Sequence, residues 1–216
     1  MSGRRASRRL VFALWCGATP LAAQRSVTLA VEPSLAAWWT HTAVGPSTQS
    51  LSGWAFGGDG SVGWRRFSLY LGYWQGSLNP DSTGAASRDV VEGYALLGGR
   101  ILPWLELRLG PHAWAYTANA GTQRWAMLEG RVRAEGALLH PTLSTYFELW
   151  MALSGSVNTA QSFGSGVGGQ GGLVYHSQRL PIWGRLGYSV EQARLTGDVW
   201  KETVQRVLLG VGYTFR

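Results

Sequence analysis

Beyond the first two dozen residues, apolar and polar side chains alternate with a period of two, in stretches of about 12–16 residues separated by turn-forming segments. The final stretch shows it most cleanly, with Val207, Leu209, Val211, Tyr213 and Phe215 on one side and Arg206, Leu208, Gly210, Gly212 and Thr214 on the other. Residues 143–156 set Thr145, Phe147, Leu149, Met151 and Leu153 against Ser144, Tyr146, Glu148, Trp150 and Ser154. Residues 104–117 put Leu105, Leu107, Leu109, Ala113 and Ala115 opposite Glu106, Arg108, Gly110, His112 and Trp114. In 124–137, Ala126, Leu128, Val132 and Ala134 oppose Met127, Glu129, Arg131, Arg133 and Glu135. Residues 63–76 alternate Phe67, Leu69, Leu71 and Tyr73 with Arg66, Ser68, Tyr70, Gly72 and Trp74. Weaker alternation covers 27–41, 49–57, 88–100, 166–179 and 182–194, and in 166–179 neither face stands out. No long stripe of helical period competes with it. The pattern predicts an all-β chain of about ten strands, or eight if residues 27–57 form something else.

The connections alternate in kind. Gly57-Gly58-Asp59-Gly60, Leu102-Pro103, His140-Pro141 and Leu180-Pro181 have the chemistry of tight reversals. Between them lie the looser segments 43–48, 77–87, 118–122, 157–165 and 195–198. Short turns at one end and longer loops at the other predict an antiparallel up-and-down barrel crossing a membrane, with both chain ends on the periplasmic side. In lipid every backbone N–H and C=O must be paired, so a sheet can span only as a closed barrel with faces alternating between lipid and lumen. Each stretch exceeds the ~9–11 residues a tilted strand needs to cross. Trp64, Trp104 and Trp183 follow the short turns, and Trp125 and Trp200 the long loops, as two interfacial girdles require. The 30 glycines are read as easing curvature between large outward side chains.

Residues 1–23 do not belong to this pattern. Arg4, Arg5, Arg8 and Arg9 precede the apolar run from Leu10 to Trp15, and small residues close the segment at Ala18, Ala22 and Ala23. That order is a cleaved secretory signal, leaving a barrel of residues 24–216. Removing it lowers the net charge from +7 to +3, with 15 basic against 12 acidic residues and no basic run, so nucleic acid is excluded as a partner. It also removes Cys16, the only cysteine, and with it any disulfide framework or cysteine-zinc site.

The ending Val211-x-Tyr213-x-Phe215 resembles the terminal strand of bacterial outer-membrane barrels, with Arg216 added after the aromatic residue. Together with the signal and the turns, the mature chain resembles small outer-membrane barrels of the OmpA/OmpX type. The resemblance implies an outer-membrane location among outer-membrane lipids, and recognition of the C-terminal strand by the barrel-assembly machinery.

The main chemistry on the polar faces is a charge set: Glu106, Arg108, Glu129, Arg131, Arg133, Glu135 and Glu148, with Arg185 and Glu191 later. On lumen faces these residues form either a structural ion-pair network or the lining of a narrow passive pore. A lipid-modifying enzyme would need a His, Ser and acid relay, but His176 and Ser177 are adjacent and point to opposite faces of a strand. No two histidines have metal-ligand spacing, and no cofactor is implied. Residues 164–169 match the letters G-x-G-x-x-G, but the residues after them read as strand, where that motif needs a helix. A soluble secreted barrel around an apolar ligand would need the reverse polarity, with the Glu/Arg set in water. The reading is a non-catalytic outer-membrane barrel, with no catalytic or metal residue assigned.

Overall fold

The computed structural model describes residues 27–82, 86–119, 121–138, 140–198 and 200–215; the proposed signal and Arg216 lie outside them. Ten strands follow one another: β1 (Thr28–Val44), β2 (Ser47–Trp64), β3 (Phe67–Pro80), β4 (Arg88–Leu102), β5 (Leu105–Ala118), β6 (Gly121–Ala137), β7 (Leu143–Val157), β8 (Phe163–His176), β9 (Ile182–Leu195) and β10 (Trp200–Phe215). Each pairs antiparallel with its neighbours in sequence, and β1 closes on β10 from Leu29↔Phe215 to Val44↔Trp200. The sheet has no free edge, so its ladder leaves no row of unpaired backbone groups for lipid.

The outward face is a belt of large apolar side chains, including Leu35, Phe56, Leu71, Leu97, Leu109, Leu149, Leu186 and Leu209, each 48–61% exposed. An exposed apolar surface of this extent has no place in water. Along β5 and β10 it runs from Leu105 to Ala115 and from Val207 to Phe215, close to the ~9–11 residues of a tilted spanning strand. The face assignments read for residues 63–76, 104–117, 124–137, 143–153 and 207–215 are those observed, but a bulge in β7 shifts the register, so that Ser154, read as a lumen residue, pairs with outward Leu128 and is exposed. In β8, Gly166, Gly168, Gln170, Gly172 and Val174 take the parity of the lumen, and Val167, Leu173 and Tyr175 face out.

Several local expectations are overturned. The run Gly57-Gly58-Asp59-Gly60 is not a reversal but the interior of β2, paired with β1 and β3 on both sides. A Cβ at Gly57 would overlap the ring of Trp74, so glycine is needed for packing rather than turning. The reversal falls at Arg65-Arg66, where Arg65 takes φ 59°, a left-handed conformation more often left to Gly or Asn. Its guanidinium lies 4.7 Å from the centre of the Trp64 ring. Segment 43–48 likewise contracts to a two-residue turn at 45–46, and most of 118–122 belongs to β5 and β6, with Ala118 paired to Gly121. Their Ser and Thr residues belong to strands that rise beyond the apolar belt. The spacings between the described strands therefore differ little at the two ends, the widest separating Pro80 from Arg88.

The tryptophan assignment divides. Trp64 is exposed on the outward face at the turn end, as a girdle requires, whereas Trp104, also exposed, stands at the lumen mouth; Trp39 and Trp54 with Tyr73 supply the loop-side girdle. Trp125, Trp183 and Trp200 instead take lumen positions, with Trp125 only 1% exposed. Many glycines make room for such inward rings: a Cβ at Gly72 would collide with Tyr94, and one at Gly168 with Trp150.

Candidate functional site

The lumen is stratified along its axis. At the loop end it is filled by an apolar cluster of Trp38, Leu51, Trp74, Leu78, Trp114, Trp125 and Leu195 with smaller neighbours, and Ala152 and Phe163 pack against it. All ten strands contribute to this layer. Trp114 and Trp125 stack with centroids 5.5 Å apart, and Phe163 meets Trp125 edge-on at 6.4 Å. Outside the same layer the wall is polar: Ser50 and Ser52 flank buried Leu51, Ser77 and Asn79 flank buried Leu78, and Thr203 and Gln205 flank buried Val204. The polarity of the strands thus inverts along their length. The loop end is built like a water-soluble barrel and the turn end like a membrane barrel.

Below this plug lies the charged layer. Glu148 is fully buried and collects Arg108 at 2.8 Å, Arg131 at 3.3 Å and the Gln170 amide at 3.1 Å, with Arg133 at 3.9 Å. Arg108 also pairs with Glu106 at 2.7 Å, which accepts a hydrogen bond from Tyr70, and Arg133 pairs with Glu135 at 2.9 Å. Arg131 pairs with Glu129 at 2.8 Å, and Glu129 meets His112 Nδ1 at 2.6 Å. The seven charges singled out in the sequence are therefore brought together by β5, β6 and β7. Each guanidinium also has an aromatic face, Arg108 over Tyr70 at 3.7 Å and Arg133 over Tyr146 at 4.2 Å.

The network is larger than those seven. His112 Nε2 stands 3.1 Å from Glu92, Glu92 pairs with Arg206 at 2.6 Å, and Arg206 approaches Glu191 at 3.5 Å. On the other side Arg185 bridges Glu32 at 2.7 Å and Asp59 at 2.5 Å, and Tyr94 donates to Asp59 at 2.6 Å. Sequence pattern does not single out Glu32, Asp59 and Glu92, because their strands alternate weakly or carry glycines with the chemistry of a turn. In β4 both faces are apolar, Val90 with Leu96 inside and Val91 with Leu97 outside, so parity gives no signal.

The third layer is a cavity of about 590 Å³ reaching the turn end. Trp104, His176 and Trp183 line its mouth, Tyr70, Tyr146 and Arg185 its wall, and Glu92, His112 and Glu191 its floor. His176 and Ser177 form no relay: Ser177 Oγ accepts from the backbone N–H of Arg179 and Leu180 at 3.4 and 3.3 Å, within the β8–β9 turn. One His–Ser contact does occur, His41 Nδ1 to Ser50 Oγ at 3.0 Å on the outer wall, and no carboxylate among the described residues pairs with that imidazole.

A closed antiparallel barrel, apolar outside at membrane height and polar within, is the architecture of outer-membrane β-barrels. The solved structures agree with that class. The chain is similar to the outer membrane protease OmpT from Escherichia coli, at TM-score 0.61 and 9% identity, over 88% of this chain and 98% of that one. It is also similar to the translocator domain of the autotransporter NalP from Neisseria meningitidis, at TM-score 0.51 and 14% identity, over 89% and 90%. No protein-family profile matches the sequence, and no curated protein does either. At these identities the likeness is one of fold.

Proposed function

We propose that the protein is a structural barrel of the bacterial outer membrane whose lumen is sealed, without a catalytic role, and exported by cleavage after residue 23. The observation that carries this reading is the apolar plug: Trp38, Trp114 and Trp125 are each at most 5% exposed inside a ring drawn from all ten strands. A narrow pore would need a continuous wet path, and the charged layer leads only into packed indole rings. A fold shared by a protease and a translocator assigns no activity by itself.

Mature protein refolded in detergent and added to planar bilayers is expected to give no conductance steps, with insertion verified by its heat-modifiable migration. Discrete, reproducible steps from the folded protein would overturn the sealed-barrel reading in favour of a pore.

The C-terminal strand supports a second element of the proposal, recognition by the assembly machinery. Val211, Tyr213 and Phe215 all face outward, with the last two rings 4.6 Å apart at the turn end. Phe215→Ala is expected to lower the amount of assembled barrel in cells while leaving refolding in detergent unchanged. Equal loss in both settings would make Phe215 a packing residue instead.

A further inference from the structure

Seven buried carboxyl side chains lie within the described lumen: Glu32, Glu92, Glu106, Glu129, Glu148, Glu191 and Glu202. Five guanidinium groups, Arg108, Arg131, Arg133, Arg185 and Arg206, pair with members of this set. Counted as ions, the acids outnumber their cations by two. Buried charge of one sign is costly unless a counter-charge joins it. The shortfall falls on Glu202, neither of whose oxygens has a hydrogen-bond partner, and on Glu191, which is 5% exposed. Glu191 Oε1 has no hydrogen-bond partner, and its other oxygen has only the 3.5 Å contact with Arg206.

Two further donors converge on the same place. His112, 2% exposed, and Glu129, fully buried, each bring one ligand atom to within 4.8 Å of the other and of the Glu191 carboxylate. His112 Nε2 also makes no hydrogen bond, although Glu92 lies 3.1 Å away. The three residues come from β5, β6 and β9, so only barrel closure brings them together. One imidazole nitrogen and two carboxylate oxygens form a donor set suited to borderline divalent ions such as Zn²⁺, Co²⁺ or Ni²⁺. Donors around a four-coordinate ion at ~2.1 Å lie roughly 3.4 Å apart, so side-chain rotations of about 1 Å would close the set. An ion here would replace at most one imidazolium charge with two, reducing the shortfall. It also has a route in, because His112 and Glu191 form the floor of the cavity that reaches the turn end.

We infer that His112, Glu129 and Glu191 form a binding site for one divalent transition-metal cation at the floor of the lumen cavity. Glu92 and Arg131 act as its outer partners, Glu92 beside the imidazole and Arg131 paired with the Glu129 carboxylate at 2.8 Å. The fourth coordination position faces the cavity and is left to water or a small solute.

The test uses the mature barrel folded in detergent, titrated with Zn²⁺ by calorimetry and with Co²⁺ by visible absorption. One saturable ion per barrel is expected, with a Co²⁺ band of mixed nitrogen and oxygen ligation and no competition from Mg²⁺. Glu191→Gln, close in shape, is expected to abolish saturable binding, and Glu92→Gln to weaken it about 10- to 100-fold. The double variant His41→Gln/His140→Gln, which removes two exposed histidines, is expected to bind as the parent does. No saturable binding by the folded parent overturns the inference. So does binding that persists in folded Glu191→Gln, or that disappears with His41 and His140. Should Glu191→Gln fail to fold, Glu92→Gln and the Co²⁺ band of the parent decide: an unweakened variant or a band lacking nitrogen ligation also overturns it.

Discussion

Glu148→Ala is expected to destabilise the folded barrel by about 3–5 kcal/mol, the cost of leaving buried guanidinium charges without their counter-ion. The carboxylate is fully buried and holds Arg108, Arg131 and Gln170, with Arg133 just beyond. Water reaches these cations poorly, since Arg108 and Arg131 are 10% and 8% exposed. Urea unfolding in lipid bilayers would show the loss as a lower midpoint, and Glu148→Gln, which keeps the amide contacts but not the charge, should lie between. A variant within about 1 kcal/mol of the parent would mean that the arginines find other partners or water, and that the layer is looser than its distances indicate.

One position further on, the environment reverses. Leu149 is 52% exposed on the outward face of β7, between Phe147 and Met151 on the same face. Leu149→Arg is expected to cost about 2–4 kcal/mol at mid-bilayer and to reduce the fraction inserted into vesicles. Insertion equal to the parent would place β7 with the wrong face to lipid and would undo the assignment for the whole sheet. Glu148 and Leu149 together make a stringent pair. A shift of register by one residue would exchange their two environments.

How much of the fold is legible in the sequence depends on where the two faces of a strand differ in kind. In β5, β6, β7 and the lower half of β10, charged and aliphatic residues alternate, so strand, face and seven network charges can all be read. In β4 both faces are aliphatic, and β8 is so rich in glycine that neither face has a signature. In β2 the glycines look like a turn because conformational freedom and the need for space select the same residue. The polarity inversion is equally hidden: Ser50, Ser52, Ser77 and Asn79 read as loop chemistry when they are the wetted outside of a protruding wall. Partner identity lies further out of reach. A period of two says that Arg206 faces inward, but only closure tells that it meets Glu92, 114 residues earlier.

Those long separations bear on how the barrel forms. Arg185 reaches Glu32 across 153 residues and Asp59 across 126, while Arg206 reaches Glu92 across 114. None of these pairs exists in a half-assembled sheet, where the same groups would face open lipid or water without their partners. Insertion strand by strand is therefore opposed until β1 meets β10, and the opposing charges then become satisfied together. The seam between the first and last strands acts as a latch, and the buried ions make a partly closed barrel a short-lived species.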